Sequence, residues 1–289
     1  MTINITLPKN WNQLTTEQLE WLQSLYAQRI ANETTFLSLA FLGLAGIIVE
    51  KRPRKTEEPV YTCHFEKDRK KRFVLHPYEV VCFSQSLKWL LKECTLTRSP
   101  YPSLDIDGCK YKGPATKLSD FSWKQYKMAS DLYTLYVNSL RRQKENRELL
   151  FRFIATLFTP RRMLFDECIQ KKEPAFVYSP GQSENWKVFM DNLKVEQIEI
   201  IQSFWNGCCL YLASSYPYLF KPAGKQKKPG SKEDMLKMEG STMSVVMDRL
   251  KLSEQDVNSS SVFTILQILD TMQMECEKQK EQIARMKAR

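Results

Sequence analysis

The groups through which this chain could do chemistry are two histidines, His64 and His76, and eight cysteines spread over 289 residues. Cys63 and His64 are adjacent. Neighbouring strand residues point to opposite faces, so the two make a poor metal pair. No cysteines have C-x-x-C spacing, and no local signature marks Cys63 or Cys82 as the nucleophile of a cysteine–histidine dyad. Asp105 and Asp107 stand two apart on an extended segment and share a face, as a metal-binding carboxylate pair would. Asp107 is also the residue that an Asp-Gly turn demands, and two carboxylates alone fix no reaction. No phosphate-cradling glycine loop or nucleophile elbow occurs. The chain therefore reads as non-catalytic, with no metal and no cofactor.

Charge offers more. Lysine and arginine outnumber aspartate and glutamate 43 to 33, a net charge of +10, which favours acidic partners. The densest cluster is Lys67, Arg69, Lys70, Lys71 and Arg72. Others are Arg141, Arg142 and Lys144, and Lys225, Lys227 and Lys228. Specific nucleic-acid readers add a recognisable motif to such runs, and none is present. The expectation is weak, salt-sensitive, sequence-independent nucleic-acid binding.

The elements that must position these groups are mainly helices. Apolar residues are 43% of the chain and glycines only nine, so a real core forms without a glycine-rich nucleotide fold. Residues 2–8 alternate weakly, as a short strand does. Thr15 and Gln18 make a capping box stapled by Leu14 and Leu19, and a helix follows. The uncharged run 34–49 begins after Asn32. At 16 residues it falls short of the ~20 that span a bilayer, so it reads as a buried core helix and no membrane partner is expected. Residues 60–65 and 72–75 read as a hairpin whose charged tip is 66–71. A helix over 77–94 follows. Asp107-Gly108 signals a second hairpin. Ser122 and Gln125 make a further capping box, opening a helix to about Ser139. Helices over 145–158 and 195–214 come next.

Residues 222–231, rich in Pro, Gly and Lys, read as a linker. The expected division is a mainly helical domain with small β-hairpins over 1–221, that linker, and a C-terminal helical tail over 232–289. In the tail, Ser253 and Asp256 cap a helix. Beyond them Val262, Ile265, Leu269, Met272, Cys276, Ile283 and Met286, with Gln279 in the gap, recur in steps of three and four. That is a heptad seam of about three and a half repeats. The expected fold class is mainly α, with one or two small β-hairpins and a helical or coiled-coil tail. Ile265, Leu269, Met272, Ile283 and Met286 are the expected partner-binding residues, for a partner helix or a second copy. Without a secretory signal, the cysteines read as free thiols of a reducing cytoplasm.

The opening Ile5-Thr6-Leu7-Pro8-Lys9-Asn10-Trp11 runs on into Leu14-Thr15-Thr16-Glu17-Gln18-Leu19. A middle element is Tyr111-Lys112-Gly113-Pro114-Ala115-Thr116-Lys117-Leu118-Ser119, and a late helix ends in Tyr216-Pro217-Tyr218-Leu219-Phe220. With the C-terminal helical tail, these motifs resemble a family of tail-region proteins from phages and prophages of Bacteroidetes bacteria. The resemblance implies a tail assembly chaperone-like role in the bacterial host cytoplasm, binding a tape-measure protein until tube subunits polymerise around it. It implies no catalytic residues. A basic nucleic-acid-binding accessory protein of a mobile element is the alternative.

Overall fold

The structure, a computed structural model, describes residues 5–51, 60–161, 177–221, 244 and 246–287. It is mainly helical, with two small three-stranded antiparallel sheets. None of its helices is long and apolar enough to cross a membrane. The chain divides into two compact units, residues 1–100 with 194–207, and residues 101–193 with 208–289. Residues 222–231 lie outside the described residues, and the C-terminal helices fall in the second unit with residues 101–193.

In the first unit, α1 (Thr16–Ala27) starts at the Thr15–Gln18 capping box, with Leu14 and Leu19 buried beside it. No strand precedes it among residues 5–8. Asn32 caps α2 (Glu33–Leu44) by accepting from the Thr35 amide. The uncharged run does not continue as one helix. Gly46 turns the chain with φ of 63°, and β1 (Ile47–Lys51) follows. Gly43 is needed for packing, since a Cβ there would lie 2.0 Å from the Trp21 ring.

Strand β1 pairs with β2 (Tyr61–Phe65), and β2 with β3 (Asp68–Leu75). The expected six-residue tip is a two-residue turn, because Asp68 to Lys71 already belong to β3. Then α3 (Pro77–Ser84) tightens into a 3-10 helix over Gln85–Leu91. The hydroxyls of Ser84 and Ser86 bond back to the carbonyls of Val81 and Phe83 there, competition that destabilises regular α-helix. The core gathers Leu22, Leu37, Phe41, Leu87 and Leu96.

In the second unit, β4 (Ser103–Ile106) and β5 (Cys109–Lys112) join through Asp107 and Gly108, at φ 51° and 74°. Both angles are positive, as a type I′ turn requires. Strand β6 (Thr159–Pro160) completes that sheet. Ser122 caps α4 (Trp123–Arg141) by accepting from the Gln125 amide. The Gln125 side chain does not return to close a box. It donates instead to the Thr156 carbonyl of α5 (Arg147–Leu157), 2.9 Å away. Short α6 (Trp186–Asn192) buries Phe189 against Tyr111 and Phe158. Helix α7 (Val195–Ser215) contributes residues up to Gly207 to the first unit and the rest to the second. The C-terminal elements are α8 (Glu254–Ser259), with its Ser253–Asp256 capping box, and α9 (Val262–Lys287).

Candidate functional site

The expected partner seam lies on α9, and two contacts anchor the first half of that helix. At its start, the Val262 amide donates to the Phe121 carbonyl at 3.1 Å, and the Trp123 amide to the Ser260 carbonyl at 2.8 Å. Ser122 and Ser261 form a β-bridge between them. Two turns on, the Asp270 carboxylate accepts from the amides of Tyr218 and Leu219, both at 2.8 Å. Asp270 is 9% exposed, so those bonds are sheltered from water.

Between the anchors the helix is core. Val262 and Ile265 are fully buried and Leu266 nearly so. Ile265 packs with Val246 and Val257, and Leu269, Trp123 and Leu250 close over them. At about 1.5–3 kcal/mol per buried aliphatic side chain, this half stabilises the unit that holds it. Ile265 is therefore unavailable to a partner, and Leu269 and Met272 are half-buried. The inner end of the seam is thus taken up by the unit's own core.

The second half differs. Lys221 Nζ pairs with Glu277 Oε2 at 2.6 Å, and that hydrogen bond holds the Glu277 carboxyl below its usual range. Every residue from Lys278 to Met286 is exposed. Ile283 keeps 49% and Met286 69% of its surface in water. The structure thus splits the five seam residues into an inner group, Ile265 with Leu269 and Met272, and an outer pair, Ile283 and Met286. Their spacing could be read from the sequence. The two anchors, made by residues over 50 positions away, could not.

The basic cluster runs from Lys67 in the β2–β3 turn into β3. Lys71 pairs with Asp68 at 3.2 Å, and this bond lowers the Asp68 pKa. Arg72 forms a two-point pair with Glu50, Nε to Oε2 at 3.1 Å and Nη2 to Oε1 at 3.2 Å. A bulge in β1 at Glu50 interrupts the register there. His64 Nδ1 lies 3.2 Å from Glu50 Oε1. Lys67, Arg69 and Lys70 are exposed, and among the described residues none pairs with a carboxylate. Only part of the expected basic site is therefore free charge.

Among the described residues no three His, Cys, Asp or Glu side chains gather as a metal site would need. Burial pushes the Cys63 and Cys94 thiols up to about 11 and Cys209 to about 12, the direction opposite to that of a reactive thiolate. A cleft of about 660 Å³ in the second unit is lined by Lys112, Asp120, Ser122, Lys124, Gln125 and Tyr178, among others. Lys112 is already paired with Asp120 at 2.8 Å, and the Ser122 hydroxyl serves the α4 cap. A cleft of about 730 Å³ in the first unit, between Trp21, Leu39, Leu42 and Val81, has no ionisable lining beyond Tyr61. Compared with known proteins, the chain matches no family model, no curated protein and no solved structure.

Proposed function

We propose that the protein is a non-catalytic assembly factor that binds a partner helix through the outer half of α9. The setting is the host cytoplasm, and the role is that of a phage tail assembly chaperone holding a tape-measure protein. The observation that carries this reading is the exposure of Ile283 and Met286 on a helix whose other end is fixed in a core. Contiguous exposed apolar side chains mark interaction surfaces where singly scattered ones do not, and Ile283 and Met286, three residues apart, are neighbours on one helix face. The family resemblance implies the same role. The test is co-expression of the full chain with the tape-measure protein of the phage that carries it. The wild type is expected to keep that protein soluble, and the variant Ile283→Asp/Met286→Asp to lose this effect. Equal solubility with both would overturn the reading.

A second reading, a basic nucleic-acid-binding accessory protein, is favoured by the unpaired row Lys67, Arg69 and Lys70. Those residues contact phosphates in it, with Lys71 and Arg72 partly committed to Asp68 and Glu50. The expected binding is weak and falls steeply with salt. Binding that survives ~300 mM salt, and is lost in Lys67→Ala/Arg69→Ala/Lys70→Ala, would promote this reading over the first.

A further inference from the structure

Resting on the partner-helix reading, we infer that the occupant of the outer half of α9 is an acidic amphipathic helix of another protein, not a second copy of this chain. The inference comes from what borders the apolar strip. At about 100° per residue, Ile283 and Met286 lie about 60° apart with Gln279 between them. Lys280 borders the strip about 60° beyond Ile283. On the other side come Gln282, then Lys278 and Arg285, about 80–100° beyond Met286. Glu281, the single acid among residues 278–286, sits on the opposite face. All of these residues are exposed, and Lys280 lies near enough to Glu277 to contribute to the lowering of that carboxyl's pKa. Among residues 278–286 the charge that borders the strip is Lys280, and Lys278 and Arg285 stand farther round, beyond Gln282.

A helix docking there meets Lys280 on one flank and uncharged Gln282 on the other, with Lys278 and Arg285 farther round, so an Asp or Glu facing Lys280 is favoured, as flanking charges set partner choice in helix pairs. An antiparallel second copy would set Lys280 against its own counterpart. The acid that a parallel copy could offer Lys280 is Glu275, and Arg249 already holds it at 3.2 Å. An anionic membrane would also attract these charges. Membrane-lying helices present a broad apolar face, whereas this strip is about 60° wide, the width of a helix–helix seam.

The test uses the full chain and two synthetic four-heptad peptides, identical in their apolar seam, one with Glu and one with Lys at every flanking position. Binding is read by fluorescence anisotropy, with phosphatidylserine vesicles as a third probe and light scattering for self-association. The Glu peptide is expected to bind about tenfold more tightly than the Lys peptide at low salt. Lys278→Glu/Lys280→Glu/Arg285→Glu should invert that preference, and Ile283→Asp/Met286→Asp should abolish both. Equal binding of the two peptides by the wild type would overturn the acidic partner while leaving the partner-helix reading intact. Failure of both peptides would overturn both. A wild-type dimer at the working concentration, or vesicle binding tighter than peptide binding, would replace the acidic helix with that occupant.

Discussion

The first and second halves of α9 carry one apolar repeat and meet opposite fates. Val262, Ile265 and Leu266 are buried to 2% exposure or less, whereas Ile283 and Met286 stay half or more in water. Composition separates them in part, since residues 262–274 carry one charged residue, Asp270, and residues 275–287 carry seven. Where the rest of the unit can reach separates them further. The strand-like contact of Ser122 with Ser261 and the bonds from Tyr218 and Leu219 to Asp270 both fall in the first half. Geometry adds to this. A 3.5-residue seam drifts about 20° per heptad on a straight helix. Over the three heptads from Val262 to Ile283 it turns by about 60°, off the face that packs. A heptad pattern thus records a capacity for burial, and the anchors decide how much of it is used.

The sharpest way to break this comparison is to cut the inner half. Ile265→Ala should cost the second unit about 2–5 kcal/mol, as cavities in sealed cores do. Urea unfolding followed by circular dichroism reads it. A loss under 1 kcal/mol would mean that the inner half is no more core than the outer. Next in size is Asp270→Ala, which leaves the amides of Tyr218 and Leu219 without their acceptor. The expected cost is about 1–3 kcal/mol. Asp270→Asn, which keeps one carbonyl oxygen, should recover a large part of it, and no recovery would sink the anchoring role.

Much of the local structure was legible in the sequence, because its cause is local. Thr15 with Gln18, Asn32, Ser253 with Asp256, and Asp107-Gly108 each set a boundary through bonds or backbone angles within a few residues. The misreadings have causes that lie far along the chain. The run 34–49 is apolar throughout, and an apolar run does not distinguish a buried helix from a buried strand. Gly46 was the one local sign that it would break. Gln125 had the spacing of a capping box but found Thr156, 31 residues away. The candidate site shows the same limit. The seam could be read as a spacing and its outer half from the seven charged residues of 275–287, but the anchors at Phe121 and Tyr218 could not.

Thiols sharpen the contrast more gently. Cys276, on the exposed side of α9, should react with a disulfide reagent in the native protein, while buried Cys63 and Cys208 should wait for unfolding. Early modification of Cys208 would mean that the second unit opens where it is drawn closed. Burial raises Cys63 and Cys94 from 9.0 to about 11. Because the folded pKa is the higher one, the contribution of these thiols is complete below pH 9 and is lost as pH rises through 11. Urea midpoints should hold level from pH 7 to about 8.5 and then fall. In Cys63→Ala/Cys94→Ala the alkaline fall should be shallower, and an unchanged slope would refute their part in it.

The smallest expected effect is the most informative about the outer half. Ile283→Asp/Met286→Asp changes two side chains that are already in water, on a stretch of helix where Lys278 to Met286 are all exposed. No core is lost and no buried partner is orphaned, so unfolding free energy should stay within about 0.5 kcal/mol of the wild type. The helix itself gives little resistance, since aspartate costs only a few tenths of a kcal/mol in helix propensity relative to these residues. Thermal melts and urea curves of the two proteins should superimpose. A shift above 1 kcal/mol would show that Ile283 and Met286 contribute to the fold. The outer half would then be an extension of the inner one, with no apolar surface left for a partner. Superimposed curves, beside a large loss in Ile265→Ala, would place the change from core to surface within the same helix, between Asp270 and Lys278.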